Sequence, residues 1–151
     1  MASELLRVHS ACSLLSYAAF LVACVSGGMF LLQERQLKRK TIGVLFHQLP
    51  SLDVLDRINV FAIAIGFALL SIGTVCGFVG AGRRFGRWWN GDPKELLTVL
   101  LLGSYLTLWL IRVRATVRGR RIAWLSVLGF SLVLMTALGA GWLIHSGHPY
   151  L

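Results

Sequence analysis

Four long apolar stretches limit the possible folds of this 151-residue sequence more than any other feature. They cover approximately residues 10–33, 59–82, 95–113 and 122–144. A helix of about 19 to 24 residues rises roughly 29 to 36 Å, which is enough to cross a hydrocarbon core. The stretches are continuous rather than alternating, which favours helices over a β-barrel. The sequence therefore predicts an all-α, integral membrane protein with four transmembrane helices in one membrane domain, residues 1–151.

Composition agrees with a membrane environment. Hydrophobic residues make up 56% of the chain and the mean hydropathy is +0.73, more than a soluble domain of this size can bury. The net charge of +9 comes from short clusters between apolar stretches. These clusters form no basic face with interleaved stacking aromatics, so we expect no nucleic-acid partner and take membrane lipid as the surroundings.

The distribution of Lys and Arg predicts the orientation. Ten of these residues lie in or beside the first and third loops, and five lie on the opposite side, in the N-terminal segment and the second loop. The positive-inside rule places the more basic side in the cytoplasm, with both termini on the non-cytoplasmic side. Glu4 and Arg7 interrupt the N-terminus, so we expect a retained first span rather than a cleaved signal peptide.

Two short motifs have the form of helix starts. In the first loop, Ser51 is a candidate N-cap with Asp53 in the first turn, which predicts a short interfacial helix leading into the second span. Before the third span, Asp92 can act as the cap, Pro93 suits the first helical position and Glu95 complements the helix dipole.

The predicted orientation brings three histidine- or tryptophan-containing segments to the outer face. They are His9 near the first span, the outer loop at residues 83–94, and a tail that contains His145 and His148. Neutral imidazoles can ligate haem iron, and aromatic rings can cover the porphyrin. An equally simple interpretation makes Trp88 and Trp89 part of an interfacial aromatic belt, with the histidines as solvated loop residues.

Two other sets of residues have structural explanations. Cys12, Cys24 and Cys76 have no C-x-x-C spacing, and we expect them to pack as small hydrophobic residues. Small residues recur through the second span, and they allow neighbouring helices to approach closely. They are Gly66, Ser71, Gly73, Gly77 and Gly80.

The order of the motifs resembles the CcsA, ResC and HemX type of cytochrome c assembly proteins over nearly the whole chain. The matching segments are Val8-His9, Leu15 to Phe20, Gln33 to Lys38, Leu49 to Asp53, Gly66-Phe67, Gly86 to Glu95 with its Asp-Pro-Lys-Glu, Arg118 to Arg121, and His148-x-Tyr150. The resemblance implies a multi-pass protein of a bacterial inner membrane that handles haem.

The resemblance also implies roles for individual residues. It nominates His9 and His148 as axial ligands of the haem iron, with His145 as the competing ligand on the tail. It assigns Trp88, Trp89 and Asp92 to the surface that presents haem. The expected cofactor is a transiently held b-type haem, and the expected partners are apocytochrome c and other membrane proteins of cytochrome c maturation.

Three positions depart from the family pattern. Phe85 and Gly91 stand where the fuller pattern has tryptophan, and Leu110 stands where some members have a histidine in the third span. Members are usually longer, so the chain corresponds to a half-length or minimal form. The inner haem-receiving site is then absent or supplied by another chain.

The resemblance leads to one main functional prediction and several alternatives. The main prediction is a haem-handling subunit that presents haem at the outer face for attachment to apocytochrome c, with no independent catalytic site. One alternative is a non-catalytic partner of HemX type that acts in tetrapyrrole metabolism. A small transporter would need ionisable residues within the spans, which contain almost none. A hydrolytic enzyme would need a Ser, His and acid arrangement, and the sequence shows none.

Overall fold

The described residues of the chain form four α-helices. The computed structural model describes residues 2–40, 49–86, 93–114 and 119–146. The helices are α1 (Ala2–Arg39), α2 (Leu52–Phe85), α3 (Pro93–Arg114) and α4 (Arg120–Ser146). Each contains one of the predicted apolar stretches, and no strand occurs in these ranges. The all-α class is confirmed.

The helix starts lie at the predicted residues, with one difference in α2. Ser51 is the N-cap, but its side chain makes no capping hydrogen bond; the Leu55 N–H donates to the Ser51 carbonyl at 3.0 Å. Asp53 pairs with Arg57 at 3.1 Å, one turn along the helix. Helix α2 then continues without interruption to Phe85, so the expected short interfacial helix is its first turns.

The next connection contains a left-handed glycine. Gly86 has φ 68°, and its N–H donates to the Gly82 carbonyl at 3.0 Å, which is a common way to end a helix. Helix α3 begins at Pro93, the position predicted from its fixed φ and missing N–H. Asp92, the proposed cap, lies outside the described residues.

Successive helices are antiparallel, and α1 packs mainly against α2 and α4. His9 at the beginning of α1 contacts Gly73 and Gly77 near the end of α2. At the opposite end, Gln33 Nε2 donates to the Pro50 carbonyl at 2.9 Å. Because of this arrangement, the N-terminus of α1 and the last turns of α2 lie at one end of the bundle.

The described residues that flank the two basic connections lie together at the other end of the bundle. The Gly119 N–H donates to Asp56 Oδ1 at 3.3 Å, which links the connection before α4 to the first turns of α2. Arg120 Nε lies 3.8 Å from Glu34 Oε2 on α1. The more basic side predicted from the sequence is therefore one physical end of the molecule.

Aromatic packing fills the centre. The rings of Phe20 and Tyr105 stack with centroids 3.6 Å apart, and both side chains are almost fully buried. Gly66 on α2 lies against the Phe20 ring so closely that a Cβ there would collide with it. The absence of a side chain at Gly66 thus permits α1 and α2 to close around Phe20.

A buried polar cluster joins three helices below this centre. Asn59 of α2 is 3% exposed, and its Nδ2 donates to the Ala23 carbonyl of α1 at 2.6 Å. The Ser126 hydroxyl of α4 lies 3.1 Å from Asn59 Oδ1 and also bonds its own helix at Ile122. Gly27 lets the backbone of α4 approach here, since a Cβ would lie 3.0 Å from the Ala123 carbonyl oxygen.

The outside of the bundle is strongly apolar. Exposed side chains include Leu14 at 70%, Phe61 at 68% and Met135 at 73%. Such an extended apolar surface is typical of contact with a membrane or a protein partner. Within the described residues, Glu4–Arg39 and Leu52–Arg83 are long and apolar enough to cross a membrane, and Thr98–Ile111 is a shorter apolar helix.

Candidate functional site

Among the predicted site residues, His9 is the one whose side chain the structure describes. It lies in the second turn of α1 and is half-buried against α2. Its Nδ1 lies 2.6 Å from the carbonyl oxygen of Gly73. The sequence suggested a histidine in front of the first span, whereas the structure places it on the helix, at the interface of α1 and α2.

The contact with Gly73 determines the tautomer of His9. A carbonyl oxygen can only accept a hydrogen bond, so Nδ1 must be the nitrogen that carries the hydrogen. In the neutral ring, Nε2 then keeps the lone pair. A backbone carbonyl on one ring nitrogen is the usual support for a histidine that binds metal through the other. The observed geometry therefore fits an iron ligand.

A small cavity adjoins His9. It has a volume of about 190 Å³. Its wall combines Leu6 and His9 of α1 with one side of α2 and with Thr98 of α3. Ligand pockets usually enclose about 300–1,000 Å³, so this cavity is too small to surround a porphyrin. It can admit the edge of a flat ligand whose remainder lies outside the cavity.

Glycines on α2 form the surface against which His9 packs. A Cβ at Gly77 would lie 2.8 Å from His9 Nδ1, closer than real Cβ contacts, and 3.0 Å from Cε1, which is tighter than most. At Gly73 the nearest atoms would be Cys12 Cβ at 3.2 Å and Ser13 Oγ at 3.3 Å. Close helix packing at these glycines, predicted from the sequence, is confirmed, but the contact of Gly73 and Gly77 with His9 was not predicted. Their spacing of one helical turn from each other was the available signal.

The other predicted site residues are not placed by the structure. Trp88, Trp89, Asp92 and His148 lie outside the described residues. His145 lies near the end of α4, where only the backbone is described. Among the described side chains, no three His, Cys, Asp or Glu residues come together as a metal site would require. The structure thus neither brings His9 and the tail together nor separates them.

Of the three positions that depart from the family pattern, Phe85 and Leu110 lie on described helices. Phe85 is the last residue of α2, and Gly91 lies outside the described residues. Leu110 lies on α3, beside Trp109, whose ring stacks on Phe67 of α2 with centroids 6.2 Å apart. The three cysteines are free and half-buried, which agrees with a packing role.

A family model described as "Cytochrome C assembly protein" matches residues 1–148. The chain belongs to the cytochrome c assembly protein family. Among curated relatives, it is 35% identical to a "Cytochrome c biogenesis protein CcsA" of Crocosphaera subtropica, over 83% of this chain and 37% of the relative. It is 30% identical to the CcsA of Guillardia theta, over 98% of this chain and 54% of the relative.

The family also contains a relative with a different name. The chain is 34% identical to "Protein HemX" of Brevibacillus brevis, over 92% of this chain and 51% of that protein. The chain therefore spans between about a third and a half of the length of these relatives, in agreement with the expected partial length. No solved structure matches the chain.

Proposed function

We propose that this chain is a haem-handling subunit of cytochrome c maturation in a bacterial inner membrane. In this proposal the four helices cross the membrane, and both termini and the outer loop at residues 83–94 face the non-cytoplasmic side. The chain holds a b-type haem transiently at that face for attachment to apocytochrome c. Other membrane proteins of the maturation system act beside it.

The hydrogen bond from His9 to Gly73 is the observation that supports this proposal most directly. A half-buried imidazole needs a partner for its N–H in any case. A metal ligand also requires a free lone pair on the other ring nitrogen. The Nδ1 contact of 2.6 Å leaves that lone pair on Nε2. Membership of the cytochrome c assembly family then makes haem iron the expected metal.

The size of the cavity indicates how haem would be held. Since about 190 Å³ cannot enclose a porphyrin, most of the haem would lie beyond the wall formed by α1 and α2. Trp88, Trp89 and Asp92 of the outer loop are proposed to contact this outer part, and His148 of the tail to provide the second axial ligand. An open site of this kind suits a cargo that must be released to a partner.

The chain's own residues contribute positioning rather than bond-making chemistry. Haem supplies the porphyrin that becomes attached to apocytochrome c. His9 fixes the iron relative to α2, and the outer loop fixes the plane of the ring. Holding a reactant in one orientation raises its effective concentration toward a second protein. We therefore expect no hydrolytic or redox site within this chain.

Absorption spectroscopy of the full-length, detergent-purified protein tests the proposal. We expect a Soret band in the wild type, as isolated or after reconstitution with haem, that is lost in both His9→Ala and His148→Ala. His145→Ala separates the two tail candidates, because only the true ligand should remove the band. His47→Ala is the matched control, since the predicted orientation places His47 on the opposite side of the membrane.

Two results would contradict the proposal. One is a wild-type protein that binds no haem even after reconstitution. The other is a Soret band that survives both His9→Ala and His148→Ala while the helical content of the variants is unchanged. Deletion of the gene should also lower the amount of c-type cytochromes, which a stain for covalently bound haem measures.

A second function is favoured by the match to HemX and by the departures from the family pattern. Leu110 replaces the histidine that some members carry in the third span, and Phe85 and Gly91 reduce the number of tryptophans in the outer loop. We therefore keep a HemX-type, non-catalytic partner in tetrapyrrole metabolism as the alternative. It predicts unchanged c-type cytochromes and altered levels of haem precursors in the deletion strain.

A further inference from the structure

A large cleft lies at the basic end of the bundle, far from His9. Its volume is about 580 Å³, within the range of ligand pockets, and α1 and α4 form its walls. The wall from α1 begins at Gly28 and ends at Arg39, and the wall from α4 consists of Arg120 and Trp124. A Cβ on Gly28 would meet no atom within 4 Å, so the inner part of the cleft is open space.

The chemistry of the cleft changes along its length. On α1 the inner lining residues are Gly28, Leu31 and Leu32, which are followed by Arg35, Lys38 and Arg39. Arg39 is eleven residue steps along α1 from Gly28, which is about 16 Å of helix. Helix α4 repeats the order, because Trp124 lies one turn further in than Arg120. An apolar wall therefore leads outward to a cationic rim on both helices.

The rim carries more positive charge than it can neutralise itself. Its one carboxylate, Glu34, contacts Lys38 at 2.7 Å and Arg120 at 3.8 Å. The rim also contains Arg35 and Arg39, and within the described ranges no carboxylate lies within ion-pair distance of either guanidinium. Two arginines next to an apolar wall match a ligand that joins an anion to a hydrocarbon chain.

We infer that this cleft binds an acidic phospholipid, with the phosphate on Arg35 and Arg39 and one acyl chain along Gly28, Leu32 and Trp124. The inference rests on the membrane placement in the proposed function, which puts the rim at the cytoplasmic headgroup region. Basic pockets between helices on that side are typical sites for anionic headgroups. The exposed apolar side chains of the wall, Leu32 at 51% and Trp124 at 50%, are then covered by lipid.

A free anion fits the cleft less well than a lipid. Phosphate alone would contact only the cationic rim. The apolar wall, with the exposed ring of Trp124, would then have no partner. Leu32 and Trp124 of the wall are about half exposed, so in a membrane they would contact hydrocarbon. The acyl chain is therefore the feature that distinguishes the proposed ligand from inorganic phosphate.

Native mass spectrometry of the full chain, released from micelles that contain equal amounts of phosphatidylglycerol and phosphatidylcholine, measures the retained lipid. We expect the wild type to retain phosphatidylglycerol selectively. Arg35→Gln with Arg39→Gln should weaken this retention about thirtyfold, from the usual contribution of a cation near an anionic headgroup. Arg57→Gln with Arg121→Gln removes the same charge at the same end but outside the cleft, and should leave retention unchanged.

A second variant tests whether the acyl chain lies in the inner part of the cleft. Gly28→Leu fills the inner part of the cleft and keeps every charge, so it should also reduce retention of phosphatidylglycerol. Equal retention of the two lipids, or equal losses in the two double variants, would overturn the inference. Full retention in Gly28→Leu would contradict the placement of the acyl chain, and displacement by millimolar inorganic phosphate would assign the cleft to a free anion instead.

The outcome is independent of the test for haem. The absorption spectrum of the same preparation reports on His9, at the opposite end of α1. A protein that selects phosphatidylglycerol but binds no haem contradicts the proposed function and leaves the lipid site standing. A protein that binds haem but shows no lipid preference contradicts only the lipid site.

Discussion

Replacing Gly77 by alanine tests whether packing against α2 determines the position and orientation of the His9 ring. The new Cβ would lie 2.8 Å from His9 Nδ1, whereas ordinary contacts begin at 3.4 Å. The imidazole must therefore move by about 0.6 Å, or α1 and α2 must separate by a similar amount. Since Nδ1 is 2.6 Å from the Gly73 oxygen, either movement lengthens or bends that hydrogen bond.

The expected loss combines two effects. Inserting a methyl group into a packed interface costs about 1–3 kcal/mol, and a weakened hydrogen bond costs about 0.5–1.5 kcal/mol. We expect the free energy of unfolding to fall by about 1–3 kcal/mol, because relaxation around a helix end recovers part of the sum. If His9 binds iron through Nε2, the misplaced ring should weaken haem binding about 10- to 100-fold, as is usual when a residue that orients a ligand is changed.

A haem titration followed at the Soret band, together with unfolding in mixed micelles, measures both effects. Gly80→Ala is the matched control: it adds the same methyl group on α2, where the nearest atom is Leu6 Cδ2 at an ordinary 3.4 Å. It should change haem affinity less than threefold, a factor smaller than the loss of one hydrogen bond produces. Equal haem affinities for Gly77→Ala and Gly80→Ala would refute the prediction that the glycine surface of α2 orients His9.

Two further substitutions test the core. Asn59→Leu removes the polar link between α1, α2 and α4, and should lower the free energy of unfolding by about 0.6–1.7 kcal/mol, from the average to the largest contribution of a hydrogen bond between membrane helices. Ser131→Ala, an exposed hydroxyl bonded within its own helix, is the control and should change stability by less than 0.5 kcal/mol. Gly66→Ala places a Cβ against the Phe20 ring and should cost about 1–3 kcal/mol. Phe20→Leu should restore part of that loss in the double variant, and a simple sum of the two losses would contradict the contact.

The helices could be predicted from sequence because length and hydropathy determine them. Each apolar stretch lies within one observed helix, and the starts at Leu52 and Pro93 follow from Ser51 and from proline's geometry. The extra length of α1 was not predicted. Polar residues at its ends, such as Glu4 with Arg7 and Glu34 with Lys38, continue the helix through pairs one turn apart, which a search for apolar stretches ignores.

The site was predictable in part. The chemistry of histidine and the family resemblance identified His9, but neither gave its tautomer or its partner. The bond to Gly73 depends on how α1 and α2 align over 64 residues of sequence, and single-residue patterns do not contain that alignment. The cleft at the basic end was missed for a related reason: its wall combines α1 with Arg120 and Trp124 of α4, which are neighbours only in the folded chain.

The unbroken length of α1 has a mechanical consequence. His9 and Arg39 are 30 residues apart on one helix, about 45 Å, which equals the full thickness of a bilayer with its headgroups. A helix whose hydrogen bonds are intact resists twisting, so a rotation of α1 about its axis turns both residues together. Each residue step corresponds to about 100° of rotation. Any contact that fixes the rotation of α1 at its basic end therefore also fixes the direction in which His9 points at the opposite end.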